Sequence, residues 1–245
     1  MKALVRLSGV LGILLLWELL AITITAHAIP TPYGTIRQLF EDGWTYYGPN
    51  IQSTGWEALR GFFWGNLMAI ALAVVVILVP PLERIVTQIG IVSYCLPVVA
   101  VGPILTVTLN GDTPMVAMAA LLVFFTTLIG VLAGLRAADR TSLELVLAYG
   151  GGRWMQLLKV RLIAALPSTF AALKIAAPSA VLGAIIGEYL GQVNNGLGLA
   201  MVVAQQQLQT ERTWGVALVA GALAASGYGV VALVARFAIP WERAT

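Results

Sequence analysis

Few residues of this chain could take part in chemistry, and the densest group of them lies between residues 139 and 165. There the segment ELVLAYGGGRWMQLLKV, residues 144 to 160, places a carboxylate before three consecutive glycines and a basic stretch. The single histidine, His27, and the single cysteine, Cys95, supply neither a cluster of metal ligands nor an activated nucleophile. The segment therefore offers charge and a hinge for holding another molecule, and it lacks the groups that catalysis needs.

The spacing of polar residues in this segment predicts a short helix that ends at glycine. Thr141 precedes Glu144 by three residues, the arrangement in which a hydroxyl and a carboxylate satisfy exposed N–H groups at a helix start. We expect a helix over residues 142–149. Gly150 follows it, and glycine readily takes the left-handed conformation that ends helices.

A second helix is predicted after the glycines, over residues 153–165, with Pro167 ending it. Its apolar side chains, Trp154 and Leu157 among them, share one side, whereas Arg153 lies on another. Two environments suit a short helix with an apolar face. One is a groove on a partner protein. The other is the surface of a bilayer, on which the helix would lie.

The composition of the whole chain is that of a membrane protein. Apolar residues make up 59% of the 245 residues and charged residues 10%, where about 25% charged is usual for a soluble domain. We expect a single membrane domain over residues 1–245, with residues 1–28 kept as a first span although they resemble a secretory signal. The six predicted spans cover residues 6–26, 58–79, 85–109, 115–135, 166–190 and 214–239.

The distribution of lysine and arginine orients these spans. With the N-terminus inside, ten of the 14 basic residues fall on the inner side and three on the outer side, and Lys174 lies within the fifth span. Short cytoplasmic loops carry such an excess of positive charge. Both termini and the segment at residues 139–165 are therefore predicted to be cytoplasmic, with a short amphipathic helix at residues 35–43 outside. Topology thus accounts for the basic charge, and no nucleic-acid site is needed.

Four residues in the spans are candidates for lining a pathway: Pro97, Lys174, Pro178 and Glu188. Prolines free backbone carbonyls that only protein or a water-filled cavity can receive. Ionisable groups within spans must face protein or water. Each candidate also has a structural explanation: a plain kink for the prolines, a side chain reaching towards the cytoplasm for Lys174, and the anchoring of a loop for Glu188.

Several motifs together resemble permease subunits of ATP-binding-cassette importers, the binding-protein-dependent transport system inner-membrane component family. The family's cytoplasmic loop has Glu-Ala-Ala, a glycine six residues after the glutamate, and a later Leu-Pro. These correspond here to Glu144-Leu145-Val146, Gly150 and Leu166-Pro167, so the two alanines are replaced. The segments LLLWELL, IPTP, GAIIGEYLG and NNGLGLAMVVAQ are similar to the nitrate, sulfonate and taurine branch of the family.

The resemblance implies an all-α membrane protein with the type I importer permease fold: six transmembrane helices and a cytoplasmic coupling helix between the fourth and fifth. It implies assembly in the bacterial plasma membrane with two ATPase subunits, a second permease subunit, identical or homologous, and an extracytoplasmic solute-binding protein. ATP would be bound by the ATPases, since this chain has no GxxxxGK[ST] loop and no expected cofactor of its own. The residues implied to contact the ATPase are Thr141, Glu144, Leu145, Ala148, Gly150 and Arg153.

Two functions other than that of an importer permease would need residues of different kinds. An ATP-independent channel or secondary carrier would need a polar pore or a relay of acids, and the predicted spans hold few acids, chiefly Glu18 and Glu188. A membrane-embedded enzyme would need clustered ligands or a nucleophile, which the sequence does not offer. The family branch predicts a small anion or a small organic solute, such as a vitamin precursor, as the cargo.

Overall fold

The computed structural model describes residues 2–23, 29–95, 97–191 and 193–240, and these residues form helices joined by short connections. His27 and Arg243 therefore lie outside the described residues. The α-helices are α1 (Lys2–Thr23), α2 (Pro32–Leu78), α3 (Glu83–Cys95), α4 (Val98–Thr108), α5 (Thr113–Arg136), α6 (Arg140–Ala148), α7 (Arg153–Gln156), α8 (Leu162–Leu190), α9 (Leu197–Gln206) and α10 (Thr210–Ala238).

Helix α2 consists of two helical parts that meet at Gly43. Thr31 caps its start by accepting a hydrogen bond from the Gly34 N–H at 3.0 Å, and Pro32 fits the first turn, where no N–H is needed. At Gly43 the backbone has φ 59° and ψ −171°, which breaks the helix. The predicted amphipathic helix at residues 35–43 is thus present, and helical structure resumes earlier than the predicted second span.

The core forms where α5 packs between α2 and α8, and small residues set how closely these helices approach. A Cβ added to Gly61 of α2 would lie 2.3 Å from the Ala119 Cβ, and one added to Gly183 of α8 would lie 2.6 Å from the Ala119 Cα. Small residues allow such close contacts between helices in lipid. A buried hydrogen bond from the Thr127 hydroxyl to the Asn66 Oδ1, at 2.6 Å, also joins α5 to α2.

Four of the described helices are long and apolar enough to cross a membrane: α2, α5, the continuous helical run Arg153–Leu190, and α10. The predicted span at residues 85–109 is divided in the structure, because α3 ends at Cys95 and α4 begins at Val98. Pro97 is the N-cap residue of α4. Proline has no N–H and a fixed φ, so it starts a helix more readily than it continues one.

The prediction that Pro167 ends a helix before the fifth span is wrong. Pro167 lies inside α8, and a five-residue π-helical turn, Leu157–Arg161, joins α7 to α8 in one helical run. A proline inside a helix removes the hydrogen bond that its own nitrogen would donate, and its ring crowds the carbonyl four residues before it. Neighbouring helices and local π-helical adjustments let membrane helices tolerate that loss.

The two ends of α5 lie near different charged groups. At its start Asp112 forms an ion pair with Arg60, and at its end Arg136 pairs with Glu83 at 2.6 Å. The separation of these ends is about 36 Å, from 24 residues at about 1.5 Å each. The structure therefore divides the two pairs between opposite ends of the bundle, as the predicted topology requires.

Candidate functional site

The loop between α5 and α8 presents α6 at one end of the bundle. Asp139 is its N-cap residue: one carboxylate oxygen accepts hydrogen bonds from the Ser142 N–H at 2.9 Å and from the Ser142 hydroxyl at 3.0 Å. These bonds, the backbone one first, hold the pKa of the Asp139 carboxyl below its usual value. The predicted cap by Thr141 and Glu144 is therefore wrong, and Glu144 instead pairs with Arg140 at 2.9 Å.

Gly150 ends α6 in the predicted way. Its φ is +78°, and its N–H donates to the Leu147 carbonyl at 2.9 Å, while the next N–H, of Gly151, donates to the Val146 carbonyl at 2.8 Å. Such paired bonds satisfy carbonyls that a helix end leaves free. Gly152 then takes an extended conformation and caps α7. The three glycines thus reverse the chain within a few residues.

Three side-chain donors hold the loop in place: one bonds within the loop, and two bond to helices of the bundle. The Gln156 Nε2 donates to the Leu143 carbonyl at 3.0 Å and so joins α7 to α6. The Arg161 guanidinium donates to the Leu135 carbonyl at the end of α5, at 2.9 Å. Arg153 reaches the Leu78 carbonyl at 3.4 Å. Because these bonds reach α2 and α5 as well as α6, a displacement of α6 would be passed on to membrane helices.

The surface of α6 is open. No residue of α6 is buried, and Thr141, Glu144, Leu145 and Ala148 are all exposed. Leu145 is 58% exposed and Tyr149, which follows the helix, 84%. The α7 side of the loop adds exposed Trp154 and Met155. Large apolar side chains gathered at one polar-rimmed end of a molecule are typical of a protein docking surface.

The four predicted pathway residues differ in their burial. Pro97 is exposed between α3 and α4, whereas Lys174 and Pro178 are half-buried within α8. Glu188 is 1% exposed near the far end of α8, so it does not face an open surface. A shared role of these four residues in lining a pathway stays a prediction.

Glu188 instead helps to hold the start of α9. Its carboxylate accepts hydrogen bonds from the Thr54 hydroxyl at 2.6 Å and from the Gly198 N–H at 2.7 Å. The Thr54 hydroxyl also accepts from the Leu197 N–H at 2.9 Å. Asn50 accepts from the Gly196 N–H at 2.8 Å. Three side chains from α2 and α8 therefore satisfy the N–H groups at this buried helix start.

A Cβ at Gly196 would lie 2.4 Å from the Glu188 Cδ, and the Gly196 φ is +149°. Only glycine allows the backbone to approach the carboxylate this closely in this conformation. The motif NNGLG is thus explained by the carboxylate that it encloses. This finding favours the structural explanation of Glu188, the anchoring of a loop.

Two acids that the structure makes important, Asp139 and Glu57, are not among the predicted site residues. Asp139 precedes Ser142 by three residues, and aspartate is at least as good an N-cap as threonine, so a signal was present. Glu57 falls one residue before the predicted second span, where Ser53, Thr54 and Arg60 are polar neighbours and an exposed position is the ordinary expectation. The structure buries Glu57 to 3% exposure beside Glu188, which lies 131 residues further along the chain.

Comparison with known proteins places the chain among transport permeases. It is 28% identical over 206 residues to a probable ABC transporter permease protein of Haemophilus influenzae, a match covering 82% of this chain and 83% of that one. It is 24% identical to the formylaminopyrimidine transport permease protein ThiX of Halalkalibacterium halodurans, covering 95% and 94% of the two chains. It is 29% identical to the riboflavin transport system permease protein RibX of Chloroflexus aurantiacus, covering 66% and 60%.

Residues 65–241 match the sequence profile of one protein family, and this segment contains α5, α6, the glycine turn and α8 with Glu188. The match extends over more than half of the chain. The protein therefore belongs to the binding-protein-dependent transport system inner membrane component family, the membrane permease components of ABC transporters.

Proposed function

We propose that this chain is the permease subunit of an importer, and that α6 is the coupling helix through which a separate ATPase subunit moves the membrane helices. The observation that carries the proposal is the exposure of α6: none of its residues is buried, and Gly150 ends it in the left-handed conformation. It is also hydrogen-bonded to α7 through Gln156. An exposed helix that carries apolar side chains and is held in place at its end can bind in a groove on a partner protein.

In this proposal the ATPase displaces α6, and the helical run Arg153–Leu190 carries the displacement into the bundle. Because α8 packs closely on α5 at Gly183, a tilt of α8 would move α5 as well. A change between inward-open and outward-open states requires that the ATPase bind α6 with different free energy in the two states. The chain itself would hold no cofactor, and ATP would be bound by the partner.

The proposed assembly contains two ATPase subunits, two permease subunits and an extracytoplasmic solute-binding protein in the bacterial inner membrane. Six spans would be completed by α1 and by the broken pair α3 and α4, with both termini and α6 in the cytoplasm. Relatives named for formylaminopyrimidine and riboflavin transport support a small organic solute as cargo. The likeness to the nitrate, sulfonate and taurine branch makes a small anion the other candidate.

A pair of matched charge reversals tests the coupling role. Arg140 and Glu144 form an exposed i,i+4 ion pair on α6, and Arg37 and Glu41 form the same kind of pair at the opposite end of the bundle. Exposed pairs of this kind contribute little to stability. We expect Glu144→Lys to insert and assemble normally yet to abolish ATP-driven uptake, whereas Glu41→Lys transports as the unaltered protein does.

Both variants would be measured with the ATPase and binding protein in proteoliposomes, with uptake and ATP hydrolysis recorded together. Continued ATP hydrolysis without uptake in Glu144→Lys supports the proposal. Equal uptake by Glu144→Lys and Glu41→Lys would contradict it. Uptake that needs no ATPase at all would instead favour an ATP-independent carrier.

A further inference from the structure

A polar cavity of about 310 Å³ lies at the end of the bundle opposite α6, where α2, the α4–α5 turn and the α8–α9 turn meet. Its polar lining comes from Ser53 and Glu57 of α2, Asp112 before α5, and Asn194 and Asn195 before α9. The volume is at the lower end of the range for sites that bind small molecules. The cavity is separate from the α6 surface.

Glu57 is the unusual residue of this cavity. It is 3% exposed, and its Oε2 atom has no hydrogen-bond partner among the described residues. The other oxygen, Oε1, receives only a long hydrogen bond of 3.4 Å from the Ser53 hydroxyl. A buried carboxylate oxygen without a donor is costly, so Oε2 is satisfied either by a proton shared with the Glu188 carboxyl group or by a donor on a bound molecule.

No neighbouring cationic side chain in the described part of the chain donates a hydrogen bond to the Glu57 Oε2 atom. Asp112 already pairs with Arg60. Glu188, which contacts Glu57, has both of its oxygens satisfied by neutral donors and lies at the positive end of the α9 dipole. Because Glu57 and Glu188 are buried carboxyl groups in contact, they hold one proton between them. With Asp112 set against Arg60, the charged groups around the cavity therefore sum to minus one. Such a site repels an anion and attracts a cation.

We propose that this cavity binds a compact nitrogen cation, an amidinium or an ammonium group carried by a small organic solute, with Glu57 as its acceptor. An N–H group of such a solute would donate to the unpartnered Oε2. The amide side chains of Asn194 and Asn195, both exposed at the rim, can hydrogen-bond to the rest of the molecule. The inference rests on the proposed function in one respect: it narrows the cargo to a nitrogen-bearing solute and excludes a small anion at this site.

Direct binding tests the site without any need for transport. The permease complex in nanodiscs of uncharged lipid would be titrated with benzamidine, a single-ring amidinium, and with benzamide and benzoate as its neutral and anionic analogues. Saturation-transfer NMR would report the affinities. We expect benzamidine to bind about tenfold more tightly than either analogue, because a charge-assisted hydrogen bond to a carboxylate is lost in both.

Variants then assign the binding to Glu57. We expect Glu57→Gln to weaken benzamidine binding about tenfold and Glu41→Gln, an acid-to-amide change at an exposed site on the same end, to leave it unchanged. Asn195→Asp alters only an exposed rim residue, so its folding is secure, and it should tighten binding. That variant keeps the test decisive if Glu57→Gln does not assemble.

The proposal fails if benzamidine does not bind, if benzoate binds more tightly, or if neither Glu57→Gln nor Asn195→Asp changes the affinity. Infrared spectra give a further test. The proposal fails if they show a carboxylic acid band that disappears in Glu57→Gln but persists with saturating benzamidine. In that case a proton shared with Glu188, and not the bound cation, would satisfy Oε2. None of these results depends on the ATPase. A permease that binds benzamidine but does not couple through α6 would refute only the proposed function.

Discussion

Replacing Gly150 by alanine should loosen α6 through backbone strain alone. The Gly150 φ is +78°, and no atom lies within 4 Å of the position that a Cβ would occupy, so a methyl group meets no steric conflict. The cost is that of holding an L-residue in the left-handed region, about 1 to 2 kcal/mol. A change of this size shifts the population of the native turn by about 5- to 30-fold.

Gly152→Ala is the matched control, because its Cβ also meets nothing within 4 Å while its φ is −85°. Gly150→Asn should fall between the two, since asparagine tolerates the left-handed conformation better than alanine. Amide hydrogen exchange over residues 143–151, measured on the assembled transporter, reports the opening of this turn directly. Uptake driven by ATP should fall in the same order.

The reasoning would be refuted if Gly150→Ala and Gly152→Ala exchanged at the same rate, because the left-handed turn would then contribute nothing to the mounting of α6. Faster exchange in Gly150→Ala with unchanged uptake would confirm the strain and contradict its importance for coupling. A bulky residue at position 150 should uncouple more completely than alanine.

Three further predictions concern packing, polar contacts and acid. Gly183→Ala should lower the stability of the detergent-solubilised protein by about 1 to 3 kcal/mol, because its Cβ would lie 2.6 Å from the Ala119 Cα. Gly221→Ala is the control: it has open space around it and should be neutral in the same thermal unfolding assay. Thr127→Val should cost about 0.6 to 1.7 kcal/mol by removing a buried interhelical hydrogen bond, again read from thermal unfolding. Because the folded pKa of Asp139 is lowered, its stabilisation of α6 is complete above the usual aspartate pKa and is lost as the pH falls through the lowered value. Exchange protection of α6 should therefore stay constant above about pH 5 and weaken as the pH falls below about 4, and Asp139→Asn should remove that dependence.

Sequence patterns predicted what depends on neighbouring residues. The left-handed glycine at 150, the helix before it and the short helix at residues 35–43 all follow from local backbone preference and residue pattern, and the structure contains each of them. Family membership was also visible, because the loop motif and the later NNGLG segment occur in order.

What the sequence did not predict depends on contacts across the bundle. Whether Pro167 ends a helix depends on the π-helical turn before it and on packing that no local pattern encodes. Asp139 competed with Thr141 for the same cap, and only the geometry of the turn after α5 decided between them. The burial of Glu57 beside Glu188 joins residues 131 positions apart, so no local sequence pattern predicts the pair.

Site-specific photocrosslinking from α6 tests the central claim most directly. A photoreactive amino acid would replace Leu145, which is 58% exposed on α6, or Leu208, which is 89% exposed in the turn between α9 and α10 at the other end of the bundle. In cells that hold the assembled transporter, we predict a crosslink to the ATPase subunit from position 145 and none from position 208. A crosslink to lipid alone from position 145, or to the ATPase from position 208, would contradict the assignment of α6 as the coupling helix.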